Sequence, residues 1–274
     1  MTHIAVETIF KKSNAITIGA LHLPPLPGYE GFPGFEVAIK NAIFDAQALE
    51  KGGADAIIFE NNYDLPHTMD VSEEVVNAMI TIGIEIKANT TVPLGVSVLW
   101  NDYRAALRIA KAVGGTFIRV PVFVDKVQTA YGYTEGTPED VIACRKELHC
   151  EHIALFTDIH VKHSEVLTGE PIIVTAKRAI AAGADALIIT GKWTGDAPDV
   201  TEIKEVRDAV VDFPIFCGSG VDEKNIMKLY TYANGSIVST SIKEDSEITH
   251  EINLKPYDVR ISEEKTRNLC VVHE

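Results

Sequence analysis

The sequence has no excess of basic residues: 25 Lys and Arg stand against 39 Asp and Glu, a formal net charge of −14. No long basic run offsets that balance, which argues against nucleic acid or an anionic membrane as partner. Cysteine is scarce. The four present (Cys144, Cys150, Cys217, Cys270) show no C-x-x-C spacing and are few for a disulfide framework, so they read as reduced thiols packed in a core. No apolar run reaches the roughly 18 residues of a membrane span. The opening stretch, MTHIAVETIFKKSNAITIGALHL, lacks the basic start and uninterrupted apolar segment of a secretory signal, and a cytoplasmic protein is expected. No low-complexity segment or linker-like break divides the chain. With 274 residues, 46% of them hydrophobic, it is expected to build one domain over 1–274.

What the chain does have is strand-helix repetition. Short β-branched runs occur at AITIGALHL (15–23), ADAIIFENN (54–62), PLGVSVLW (93–100), TFIRVPVF (116–123), HIALFTDIH (152–160), ALIITG (186–191), PIFCGSG (214–220) and SIVSTSI (236–242). Segments of 3.6-residue apolar spacing separate them, such as VAIKNAIFDAQALEKGG and PIIVTAKRAIAAGADA. GGADA (52–56) and AGADA (182–186) repeat one device, a helix-ending glycine and a turn that feeds a buried strand. Eight such units fit a closed (β/α)8 TIM barrel of the α/β class better than an open sheet.

In a barrel the strand C-terminal ends form the active face. Here the strand starts are apolar, while the ends carry His22, Glu60, Asn61, Asn62, Asn101, Asp158 and His160. That polarity favours an enzyme or small-ligand binder over a scaffold. After the last two strands, FCGSGV (216–221) and GSIVSTS (235–241) place glycines and hydroxyls where many barrels hold a phosphate. Gly218, Ser219, Gly220, Ser239 and Thr240 are the phosphate candidates, with a short helix expected after strand eight. The plainer alternative is an ordinary turn with serine caps.

Alternate side chains of a strand share a face. Across 152–162, which holds most of FTDIHVKHS (156–164), the apolar parity of Ile153, Leu155, Thr157, Ile159 and Val161 turns Ala154, Phe156, Asp158, His160 and Lys162 inward, leaving His163 to the loop. The same count turns His22, Glu60, Asn62 and Asn101 inward. Glu60, Asp158, His160 and His22 are the catalytic candidates for proton transfer; Asn62, Asn101, Arg119 and Lys162 are the candidate substrate contacts. A divalent metal (Zn, Mn or Fe) on His22, Asp158, His160 and Glu60 is the second reading, and no HExxH-like spacing supports it. A Schiff base at Lys162 needs a desolvated amine; an exposed loop lysine is preferred.

The stretches IGALHLPPLPG (18–28), GADAIIFENNYDLP (53–66), GVSVLWND (95–102), IRVPVFVD (118–125), TDIHVKHS (157–164), ITGKWTGDAPD (189–199) and FCGSGV together resemble the BtpA family over essentially the whole chain. The resemblance implies a ribulose-phosphate-binding type of barrel. It points to a family named for photosystem I accumulation in cyanobacteria, some of whose bacterial members carry a nucleosidase label. A more distant likeness, to the tryptophan synthase α-subunit, implies a catalytic carboxylate at Glu60. Its second carboxylate, at the end of strand three, has no match here beyond Asn101 and Asp102. The expected function is acid/base lyase or isomerase chemistry on a small phosphorylated metabolite, without a required cofactor and with room for a homo-oligomer. The alternatives are a silent assembly factor and a nucleosidase-like hydrolase.

Overall fold

A computed structural model describes residues 3–193, 195–245 and 256–271. Eight parallel strands close on themselves: β1 (Ile16–His22), β2 (Ala56–Glu60), β3 (Leu94–Ser97), β4 (Phe117–Val120), β7 (Ala154–Ile159), β9 (Ala186–Thr190), β10 (Ile215–Gly218) and β11 (Gly235–Val238). Their order around the barrel is β1-β11-β10-β9-β7-β4-β3-β2. All eight expected strands are present, each shorter than expected; β11 begins one residue earlier, at Gly235.

Two buried layers follow from the period-2 alternation. Ile16, Ile18, Ile58, Phe117, Phe156, Ile188 and Phe216 fill the barrel interior, joined by Phe10 of the short helix α1 (Val6–Phe10). The Phe10 ring lies 5.9–6.1 Å from those of Phe117, Phe156 and Phe216 and closes the N-terminal end. The opposite parity (Ile57, Phe59, Val96, Ile118, Leu155, Leu187) packs under the outer helices. The repeated Gly-Ala-Asp-Ala turn now has a physical reason. Asp55 accepts the Thr17 N–H (2.8 Å) and Asp185 the Leu155 N–H (2.8 Å), each tying down a neighbouring strand.

The ring of helices is uneven. α2 (Phe35–Lys51), α3 (Glu73–Asn89), α4 (Tyr103–Val113), α5 (Pro138–Glu147), α6 (Ile172–Ala182) and α7 (Val200–Val210) run for two turns or more. After β10 there is only α8 (Ile226–Leu229), and after β11 the expected helix is a single 3₁₀ turn, Thr240–Ile242. α9 (Glu263–Val271) packs back on α2, where Asp45 binds Arg260 at 2.9 Å and the Ile261 N–H at 2.9 Å. Three further strands, β5 (Lys126–Thr129), β6 (Gly132–Glu135) and β8 (Ser164–Val166), were not expected. They form an antiparallel sheet in the loops after β4 and β7. Among the described residues no helix is long and apolar enough to cross a membrane.

Candidate active site

Inward parity carries a layer of polar side chains to the C-terminal mouth: His22, Glu60, Ser97, Arg119 and Asp158 follow Ala20, Ile58, Gly95, Phe117 and Phe156 on their strands. Arg119 organises this layer. Its Nε and one terminal nitrogen donate to the two Asp158 oxygens, both at 2.8 Å, and its other terminal nitrogen reaches Glu60 Oε1 at 3.4 Å. His22 Nε2 lies 3.7 Å from Glu60 Oε2, and Asn62 donates to the same oxygen at 3.4 Å. Glu60, Arg119 and Asp158 are 3%, 8% and 1% exposed, so three charges share a desolvated layer. Such a layer is expensive unless fully paired.

Above it opens a cavity of about 510 Å³ lined by His22, Glu60, Asn62, Arg119 and Lys162. Asp158 is not part of that lining; it stands behind Arg119. Burial holds His22 well below the ordinary histidine pKa, helped by the positive charges of Lys243, Lys162 and Arg119, so its ring is neutral. Burial, and then Arg119, bring the Lys162 ammonium down to about 8, against the opposing pull of Glu60 and Asp158. Lys162 is therefore no exposed loop lysine. His163, expected in the solvated loop, also lines the cavity; burial and Lys162 lower it to about 4, and its ring lies 5.3 Å from that of Trp193.

Two further expectations are corrected. His160 does not stack with Asp158. The chain turns left-handed at His160 (φ 53°), the strand ends at Ile159, and the ring turns outward to Thr175 of α6, 3.3 Å from Oγ1. Asn101 is inward in position but is used up structurally. Its amide donates to the Val122 carbonyl and accepts the Val122 N–H, both at 2.9 Å. With His160 outside and Asp158 paired to Arg119, the metal reading loses two of its four ligands. Among the described residues no three His, Cys, Asp or Glu side chains gather as a metal site.

The phosphate candidates Gly218, Ser219, Gly220, Ser239 and Thr240 all line the cavity, together with Val221 and Ser241. The Ser219 and Ser239 hydroxyl oxygens are buried without a hydrogen-bond partner, which does not fit a role as satisfied helix caps. Ser219 and Gly220 both adopt positive φ, 68° and 57°. At Gly220 a Cβ would stand 2.2 Å from the Ala197 nitrogen, so the loop after β9 is seated directly on this glycine. Sequence reasoning missed the opposite wall, made of His67, Leu99, Trp100 and Tyr131. These residues come from three separate loops, and no local pattern joins them.

Fold and site together define a (β/α)8 barrel whose C-terminal mouth holds a buried charged layer beneath a cavity. The model of the BtpA family matches residues 12–262, and the chain belongs to that family. It is 38% identical over 248 residues to the photosystem I biogenesis protein BtpA of Synechocystis, covering 89% of this chain and 85% of that protein. An uncharacterised protein of Pyrococcus horikoshii is 36% identical over 246 residues, 89% of this chain and 93% of that one. Among solved structures, (S)-3-O-geranylgeranylglyceryl phosphate synthase from Thermoplasma acidophilum, in complex with sn-glycerol-1-phosphate, aligns at TM-score 0.61 and 12% identity, covering 99% and 98% of the two chains. Tryptophan synthase from M. tuberculosis aligns at 0.60 and 16%, covering 98% of each. At such identities these likenesses bear on the fold alone.

Proposed function

We propose that the protein is an enzyme acting on a small phosphorylated metabolite, with Glu60 as the group that takes and returns a proton. The observation that carries this reading is the placement of Glu60. It is the one carboxylate of the buried layer that lines the cavity, gripped on one side by Arg119 and on the other by His22 and Asn62. A general base must reach substrate and be held in place by its neighbours, and this position supplies both. Lys162, with its pKa near 8, is suited to donate a proton or to hold a developing negative charge at neutral pH. Neutral His22 offers a hydrogen bond without a charge. Asp158 acts through Arg119, whose orientation it fixes. The unpartnered hydroxyls of Ser219 and Ser239, on residues lining the same cavity, support the phosphate end. Lyase, isomerase and nucleosidase-like hydrolysis all draw on this acid/base pair, and the cytoplasm is the compartment we assign. The name of the Synechocystis relative, a photosystem I biogenesis protein, supports a second reading, an assembly factor without turnover.

A thermal-shift panel of sugar phosphates, with their unphosphorylated counterparts as controls, tests the proposal. A phosphorylated compound at 100 times its Kd is expected to stabilise the fold by about 2.7 kcal/mol. Glu60→Gln should keep that stabilisation while turnover falls roughly 10²–10⁴-fold. A panel in which no phosphate ester stabilises the protein overturns the enzyme reading and leaves the assembly factor.

A further inference from the structure

We infer that the wall formed by His67, Leu99, Trp100 and Tyr131 is a subsite for a planar, nucleobase-sized heteroaromatic ring carried by the phosphorylated substrate. This inference rests on the function proposed above and names the substrate class.

Position is the first argument. In the closed strand order, β10 and β3 stand four strands apart in either direction, so they are diametrically opposite. The Gly218–Gly220 turn leaves β10; Leu99 and Trp100 follow β3. His67 lies in the loop after β2, and Tyr131 in the β5–β6 turn that follows β4. A ligand held by its phosphate at the β10–β11 turns, with its reacting centre over Glu60 and Arg119, extends onto this wall.

Chemistry is the second argument. Tyr131 sits between its neighbours, 5.1 Å from the His67 ring at 64° and 5.9 Å from Trp100 at 44°. Tyr131 therefore stacks face to face on neither neighbour, and all three residues line the cavity. Two polar atoms of these residues lack partners: Trp100 Nε1, a donor, and His67 Nδ1. The Asp64 carbonyl accepts from the His67 ring, and burial lowers its pKa to about 4, so the ring is neutral and Nδ1 is an acceptor. One donor and one acceptor match the amide-like edge of a nucleobase. An alkyl tail would fill the same apolar space and leave both atoms unmet, which is costly in a buried site.

Rigidity is the third. Asn61 clamps Leu99 by accepting its N–H at 2.7 Å and donating to its carbonyl at 3.3 Å. The Trp100 N–H donates to the Thr68 carbonyl at 3.0 Å, and the Tyr131 N–H to Thr129 Oγ1 at 3.0 Å. A wall fixed before binding loses little freedom on binding.

Titration calorimetry with uridine 5′-monophosphate, adenosine 5′-monophosphate, ribose 5-phosphate and the two nucleosides decides the matter. At least one nucleotide should bind about tenfold or more tightly than ribose 5-phosphate, the gain a stacked base brings. Trp100→Leu and, on the partly exposed hairpin, Tyr131→Leu should each remove most of that gain and leave ribose 5-phosphate affinity within about twofold. Should Trp100→Leu fail to fold, the hairpin variant alone is sufficient to test the subsite. Equal affinity of ribose 5-phosphate and both nucleotides overturns the ring subsite and leaves the phosphate reading standing, as does a gain that survives both variants. Nucleosides that bind as tightly as their nucleotides support the ring subsite and overturn the phosphate reading. Absence of binding by all five compounds overturns both.

Discussion

Lys162→Met should make the protein more stable at pH 7. Folding carries the Lys162 ammonium out of water into a cavity it shares with Arg119, and its pKa falls from the ordinary 10.5 to about 8. At about 1.4 kcal/mol per pKa unit, keeping the charge in place at pH 7 costs at most about 3.5 kcal/mol. The side chain is only half-buried and solvent enters the open cavity, so about 1–2 kcal/mol is the working figure. Methionine has similar length and no charge, so the variant escapes that cost. The sign of the pH dependence follows from linkage. Between about pH 8 and 10.5 the unfolded chain holds the Lys162 proton and the folded chain does not, so wild-type stability gains with pH across that window. The advantage of Lys162→Met is complete below pH 8 and fades toward 10.5. Urea unfolding of both proteins at pH 7 and pH 9.5 measures the gap at each pH. A variant less stable than wild type at pH 7, or a gap unchanged at pH 9.5, would refute the reasoning. The stabilised variant should bind phosphorylated ligands more weakly, the usual exchange of stability for function at a site.

Much of this site was legible in the sequence, because strand parity is a geometric rule that holds while the backbone stays extended. It placed His22, Glu60 and Asp158 in one inward layer, and the neighbouring apolar parity under the helices; Arg119, expected only as a substrate contact, joins that layer and pairs with Asp158. It failed at His160, where φ turns to 53° and the alternation stops. Parity also says nothing about what a side chain will bond to. Asn101 is spent on Val122, and Asp158 is screened from the cavity by Arg119, a contact between strands 39 residues apart. The β5–β6–β8 sheet was missed because each strand has only three or four residues and β5 pairs with β8 across the intervening β7. Tyr131 and the aromatic wall were lost with it. Gly220 was legible as a turn residue. Its actual duty, seating the Asp196–Ala197 backbone, depends on a loop that sequence spacing does not bring near.

Two further outcomes test the frame that holds the site. Gly220→Ala puts a Cβ 2.2 Å from the Ala197 nitrogen at a φ of 57°. It should cost about 2 kcal/mol or more in urea unfolding and abolish stabilisation by ribose 5-phosphate; wild-type values for both would show that this turn is not the anion grip. Arg119→Met should be the more damaging change, because it strands two carboxylates. Arg119 now serves both oxygens of Asp158 at 2.8 Å and one of Glu60 at 3.4 Å, in a layer nearly closed to water. Removing one partner of such a buried group costs about 3–5 kcal/mol, since the remaining charge keeps its desolvation and loses its counterion. Adding Asp158→Leu removes one stranded carboxylate, so the double variant should regain about half of the loss or more. Arg119→Lys retains the charge but lacks the planar fork that meets three oxygens at once, and its stability should fall between wild type and Arg119→Met. Urea unfolding of these proteins, together with Asp158→Leu alone, gives the coupling directly. A loss under about 1 kcal/mol for Arg119→Met, or a double variant worse than the sum of its parts, would mean that Asp158 does not hold Arg119 against Glu60. The role given to Asp158 would then fall with it.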